Sequence, residues 1–209
     1  MSENNNYHWH HNQADNSFLY LFKSLDNILE KEIKDKNTLL DIGCGNGYLT
    51  KKLSGKFNSV IGIDNSKSAI EQAKKDYNGK VDFKLNNLEN MNFENKINCI
   101  TLIEVIEHLY SPDNLLQKIN DICDQNTKVI ISTPFHGFIK NLMILCYGKF
   151  DQHFSPLWEH GHIKFFSKQT LREICERNNF KIEKIYYSGR FYPISKSMIF
   201  VLSKLSKNL

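Results

Sequence analysis

The apolar residues of this chain change period several times, and the changes mark out helices and strands in alternation. From Phe18 to Ile33 they fall at Phe18, Leu21, Phe22, Leu25, Ile28 and Leu29, the spacing of one helix face. Leu39-Leu40 then ends a short continuous apolar run, as expected of a strand buried on both sides. Val60-Ile61-Gly62-Ile63 ending in Asp64, Val81 to Leu85, Ile97 to Ile103 and Lys128 to Ser132 read as further strands. Helix starts lie between them. Ser66 heads Lys67-Ser68-Ala69-Ile70 as a cap, and Ser111-Pro112 places proline where a missing N–H does no harm. Ser167-Lys168-Gln169-Thr170 caps a late helix reaching about Asn178, and two closing strands follow near 181–187 and 197–202. Repeated β-α units predict an α/β fold with a doubly wound parallel sheet and a ligand at the strand C-termini. Residues 134–166 break the alternation with an aromatic, His-containing stretch, and residues 1–16 are a polar arm rich in Asn and His.

The turn after the first strand carries the most specific signal. Leu40-Asp41-Ile42-Gly43-Cys44-Gly45-Asn46-Gly47-Tyr48-Leu49 runs from strand into helix, with glycine at three alternate positions. Such glycines let the backbone turn tightly and approach a ligand closely. The helix behind them offers free N–H groups to a carboxylate or polar edge. A dinucleotide fingerprint needs its third glycine one place later, where Tyr48 stands, and no G-x-x-x-x-G-K-[ST] loop is present. Asp64 follows Asp41 by 23 residues at the tip of the second strand, placed to accept both hydroxyls of a ribose. The competing reading makes Asp64 a simple capping residue.

Composition narrows the class. With 209 residues and 41% hydrophobic content, one domain spanning 1–209 is expected, with an N-terminal arm and helix over 1–35 and an insertion over 134–166. A net charge of +4 without a basic run makes a nucleic-acid partner unlikely from composition alone. Five scattered cysteines without a C-x-x-C pair fit a reduced compartment. The polar start and the lack of any ~20-residue apolar run predict a cytoplasmic protein without stable membrane insertion.

Asp-x-Gly-x-Gly-x-Gly resembles the pattern of the class I S-adenosylmethionine-dependent methyltransferases, and the resemblance runs from about Leu39 to Leu202. It implies a Rossmann-like sheet of seven strands, mostly parallel, with an antiparallel last strand. It also implies S-adenosylmethionine as cofactor, held by the turn residues Asp41, Gly43, Cys44, Gly45 and Gly47. Asp64 and Asn65 would serve the ribose, and Asn87 and Leu88 the adenine. Relatives usually show Asp where this chain has Asn87, which accepts through its amide oxygen without charge assistance.

A second cluster ends the fourth strand, in Thr101-Leu102-Ile103-Glu104-Val105-Ile106-Glu107-His108-Leu109. Its carboxylates and imidazole fall where the methyl group must meet its acceptor. Later comes Trp158-Glu159-His160-Gly161-His162, whose His162 precedes the capped helix and can fold back over the strand ends. These stretches, with Ser132-Thr133-Pro134, are similar to the ubiquinone-biosynthesis O-methyltransferases. They are similar also to the small-RNA 2′-O-methyltransferases, whose Glu-x-x-Glu-His and distant His bind Mg²⁺. Carried over, that resemblance makes Glu104, Glu107, His108 and His162 ligands of Mg²⁺ or another divalent cation. In the metal-free alternative Glu104 shapes the cofactor pocket and His108 or His162, with Glu107 beside them, serves as catalytic base. Phe135–Lys149 is the expected acceptor lid, packed as core or as cover.

The leading expectation is O-methylation of a small-molecule hydroxyl: a phenol, a quinol or a sugar-like intermediate. Two alternatives stand beside it. One is a metal-assisted RNA 2′-O-methyltransferase, which the dispersed lysines disfavour. The other is a methyltransferase-like partner subunit without activity, opposed by the intact turn, Asp64 and the Glu-x-x-Glu-His run.

Overall fold

The computed structural model describes residues 19–77, 79–86, 96–154, 156–158 and 161–206. Helix α1 (Leu19–Glu32) leads into β1 (Thr38–Ile42), α2 (Tyr48–Leu53), β2 (Ser59–Asp64), α3 (Lys67–Asp76) and β3 (Asp82–Leu85). Then follow β4 (Cys99–Ile103), α4 (Pro112–Ile122), β5 (Lys128–Pro134), α5 (Phe138–Cys146) and α6 (Phe150–Phe154). Helix α7 (Lys168–Arg177), β6 (Phe180–Ser188) and β7 (Ser197–Lys204) complete the chain. The strands form one sheet of seven in the order β3-β2-β1-β4-β5-β7-β6. β1 to β5 pair in parallel, whereas β7 slots between β5 and β6 and runs antiparallel to both. The expected α/β, doubly wound, mostly parallel sheet with its antiparallel last strand is therefore present.

Alternation within the strands sorts side chains to two faces. Leu40, Ile42, Ile100, Leu102, Val129 and Ile131 pack with Leu115, Leu116 and Ile119 of α4 and Leu171 and Ile174 of α7. Leu39, Cys99, Ile130, Ile199 and Val201 point the other way, against Leu21, Leu25, Ile28 and Leu29 of α1. The periodic apolar face of the first helix is thus a core face. Truncating one of its fully buried leucines to alanine should cost about 2–5 kcal/mol.

Helix starts follow the sequence. Ser66 Oγ accepts from Ala69 N, and Ser167 and Thr170 form a reciprocal capping box at α7. The stretch expected to pack as core or cover behaves differently. No residue of α5 is buried, Phe138 is 78% exposed, and Leu142, Met143 and Leu145 also face outward. Hydrophobic spacing specified a helix there but did not specify a core contact. Residues of α5 therefore add none of the fully buried side chains of the core. Among the described residues, no helix is long and apolar enough to cross a membrane.

β1 has β2 on one side and β4 on the other, so the crossovers leave it in opposite directions. In open α/β sheets such a switch point opens the ligand crevice at the strand C-termini. Both sequence clusters converge there.

Candidate active site

The glycine turn is stapled to the neighbouring strand. Gly43 N and Cys44 N both donate to Ile63 O, at 2.8 and 3.0 Å, and Gly47 N donates to Cys44 O at 2.9 Å. Gly43, Gly45 and Gly47 all have positive φ, at 74°, 53° and 77°. A side chain at Gly43 would place Cβ 2.5 Å from Val105 Cγ2, and one at Gly47 would meet Phe83 Cζ at 2.5 Å. Glycine is required twice over, by backbone conformation and by packing. The Val105 contact also joins the turn directly to the loop after β4.

Asp64 closes the turn from β2. Its Oδ2 accepts from Gly45 N and its Oδ1 from Ser66 N, both at 2.8 Å. Burial raises its carboxyl pKa, against these N–H contacts and one from Asn65, which is itself exposed. Two N–H bonds leave lone pairs on each oxygen for a diol. Asp41 lies beneath the turn. It is 2% exposed, with Oδ2 accepting from Thr50 Oγ1 at 2.6 Å and Oδ1 from Thr101 Oγ1 at 2.7 Å. It ties α2, β1 and β4 together beneath the turn, and burial pushes its carboxyl up to about 6. Cys44 is buried, with its thiol pKa raised by desolvation, so it lines the turn as a small apolar group. Asn87 and Leu88 lie outside the described residues.

After β4 the chain makes a tight one-turn helix over Ile106–His108 that aims consecutive side chains into the crevice. Glu107 is 1% exposed, and Thr133 is the side chain that hydrogen-bonds its carboxylate. One ligating atom each from Glu107, His108 and His162 lies within 4.8 Å of the others. His162 Nε2 stands 4.0 Å from Glu107 Oε1, and the two imidazoles meet edge-on at 4.8 Å. Trp158 lies edge-on to both rings, at 6.1 and 5.9 Å. His162 is brought back by its own backbone, since Ile163 N and Lys164 N both donate to Glu107 O at 3.0 Å.

Charge in this cluster is poorly compensated. Burial, and then Glu104, hold the Glu107 carboxyl well above its ordinary value. His162 is pushed down to about 4 by burial, with His108 and His153 adding to it. A buried acid beside two imidazoles, one of them held neutral, is a donor set that a divalent cation would satisfy.

Glu104, the fourth expected ligand, is held apart from these three. It has φ 55°, a strained conformation for a residue with a side chain. Ser132 fixes it: Ser132 Oγ donates to Glu104 Oε1 at 2.7 Å, and Glu104 N donates to Ser132 O at 3.2 Å. Ser197 on β7 also bonds the carboxylate, and burial pushes Glu104 to about 7. Tyr20 Oη meets Ser197 Oγ at 2.8 Å, and burial and Glu104 raise its pKa to about 12. The first helix therefore reaches a carboxylate of the active crevice through Ser197, which stands 177 positions from Tyr20 in sequence. No local pattern marked Tyr20 or Ser197. Only the Ser-Thr-Pro run pointed to Ser132.

Comparison with known proteins adds the decisive observation: residues 8–185 match the methyltransferase-domain family. The chain belongs to that family. Among relatives of this chain, the ubiquinone biosynthesis O-methyltransferase of Pelagibacter ubique (strain HTCC1062) is 30% identical over 150 residues, 70% of this chain and 62% of the relative. The mitochondrial ubiquinone biosynthesis O-methyltransferase of Schizosaccharomyces pombe is 26% identical over 70% of this chain and 56% of its own. A putative methyltransferase, 235L, of Invertebrate iridescent virus 6 is 30% identical over 82% of this chain and 67% of its own. The chain thus spans about three fifths of the first two relatives. Its fold is shared with magnesium protoporphyrin IX methyltransferase from Synechocystis PCC 6803, solved with bound SAH, at TM-score 0.67 and 17% identity, covering 88% of this chain and 82% of that one.

Proposed function

We propose that this methyltransferase moves a methyl group from S-adenosylmethionine to a hydroxyl of a small-molecule acceptor. The observation that carries the reading is the Glu107–His108–His162 trio, set at the C-terminal end of β4 one strand from the glycine turn. The bound cofactor supplies an electrophilic methyl on sulfonium, which an acceptor oxygen attacks in line. The chain's part is to place that oxygen and hold its proton away. Gly43 to Gly47 and Asp64 orient the cofactor, and Val105 bridges their turn to the acceptor loop. Glu107, His108 and His162 fit a divalent cation, which would lower the pKa of the acceptor hydroxyl.

The low pKa of His162 favours a metal ligand over a lone general base. An imidazole held near 4 is neutral at pH 7, as a ligand must be. It is also a feeble proton acceptor for a hydroxyl whose own pKa is far higher. Glu104, fixed by Ser132 and Ser197, shapes the floor of the crevice rather than joining the trio. The relatives named for ubiquinone biosynthesis support a phenolic acceptor.

Catechol and methyl-labelled S-adenosylmethionine test the reading. Transfer should require Mg²⁺ or Mn²⁺, stop with a chelator, and fall about 100-fold or more in His162→Ala. Full activity in chelator would exclude the cation, and transfer unaffected by His162→Ala would exclude the trio.

A further inference from the structure

Helix α5 is built inside out. Its polar side chains turn inward: Lys140 Nζ donates to Phe135 O at 2.8 Å and to Lys196 O at 3.2 Å, and Asn141 hydrogen-bonds the side chain of His136. Phe138, Ile139, Leu142, Met143 and Leu145 are exposed instead. At about 100° per residue these apolar side chains cover an arc of about 160°. A helix lying between a core and water has the reverse arrangement.

The apolar surface runs on beyond the helix. Tyr147 and Phe150 follow it, 71% and 50% exposed. Phe191 and Tyr192, in the loop between β6 and β7, are 73% and 61% exposed. Tyr192 meets Phe135, the residue whose carbonyl holds Lys140, with ring centroids 6.1 Å apart. Contiguous apolar exposure of this kind marks a contact with an apolar partner or phase.

Charge identifies the occupant. No acidic residue lies between Asp124 and Asp151, and none follows Glu183, whereas Lys149, Arg190 and Lys196 are exposed. Arg190 and Lys196 are near enough for their charge to bear on Lys140 of α5. Cations edging an apolar and aromatic surface suit a bilayer with anionic headgroups. A second copy in isologous contact would set these like charges against one another, and a partner helix would take a narrower seam. At nine residues α5 is about 14 Å long, against a hydrocarbon core of about 30 Å, so it can lie in the interface but not cross it.

We infer that α5 and the loop between β6 and β7 dock this protein on the surface of an anionic phospholipid bilayer, with the apolar side chains seated among the headgroups and Lys149, Arg190 and Lys196 against their phosphates. The inference does not depend on the proposed methyl transfer.

Co-sedimentation of the full chain with vesicles decides it, using phosphatidylcholine alone and an equimolar mixture with phosphatidylglycerol. Wild type should bind the mixed vesicles, bind the neutral ones at least tenfold more weakly, and lose affinity as salt rises. Phe138→Ser combined with Leu142→Ser should weaken binding tenfold or more. Arg190→Gln should weaken it about fivefold, the effect of one cation near a charged surface. All three side chains are exposed, so both variants should unfold within about 2 °C of wild type. Wild type that stays in solution beside the mixed vesicles, equal binding to both kinds of vesicle, or binding that both variants leave unchanged overturns the inference. So does a wild-type dimer in sedimentation velocity that the double serine variant turns to monomer, because a second copy then covers the surface.

Discussion

Replacing Glu107 by glutamine should stabilise the cation-free protein, against the usual expectation for an active-site position. Glu107 is buried, no cation balances it, and burial followed by Glu104 raises its pKa well above 4.5 against the hydrogen bond from Thr133. A carboxyl whose folded pKa is raised contributes fully below the unfolded value and loses that contribution as pH rises toward the folded one. Each pH unit between the unfolded and the folded pKa therefore costs about 1.4 kcal/mol. Glutamine keeps the shape without the charge, so Glu107→Gln should be the more stable protein at pH 7. In a domain of this size each kcal/mol shifts Tm by about 2–4 °C. Thermal unfolding in chelator should show the variant several degrees above wild type at pH 7, with the gap closing toward pH 4.5. Mn²⁺ should then raise wild-type Tm and leave the variant unmoved. A variant less stable than wild type at pH 7 in chelator, or a gap independent of pH, would refute the argument.

Other expectations follow from the same contacts. Gly47→Ala forces a side chain into positive φ and against Phe83, and should cost about 3 kcal/mol in chemical denaturation. Thr101→Val removes one of two donors to buried Asp41 and should cost about 1–3 kcal/mol at pH 8, by urea titration. Because burial pushes Asp41 up to about 6, that loss should shrink as pH falls below 6 and the carboxyl protonates. Tyr20→Phe removes the hydroxyl that meets Ser197 and should change kcat more than cofactor affinity, as measured by the two side by side.

Much of this molecule was legible in its residue pattern, for physical reasons that differ by element. β1 and β4 are buried on both faces and so appear as continuous apolar runs. Ser66 and Ser167 announce helices because a side-chain oxygen there satisfies an otherwise orphaned N–H. The glycine turn is recognisable because positive φ and close packing exclude other residues. Asp41 shows where such reading stops, since its place in a motif could not reveal that Thr50 and Thr101 occupy its carboxylate. Glu104 is similar: the spacing put it with Glu107, but bonds to Ser132 and Ser197 turn it away. Tyr20 reaches that group only through the three-dimensional fold. α5 is where the pattern said least, because helical periodicity reports a face and not what covers it.

The central claim is that this crevice binds S-adenosylmethionine through the glycine turn and Asp64. Calorimetric titration with S-adenosylhomocysteine, beside Asp64→Ala, tests it most directly. The account predicts micromolar binding to the wild type and its loss in the variant. No binding to the wild type, or equal binding to both proteins, would contradict it.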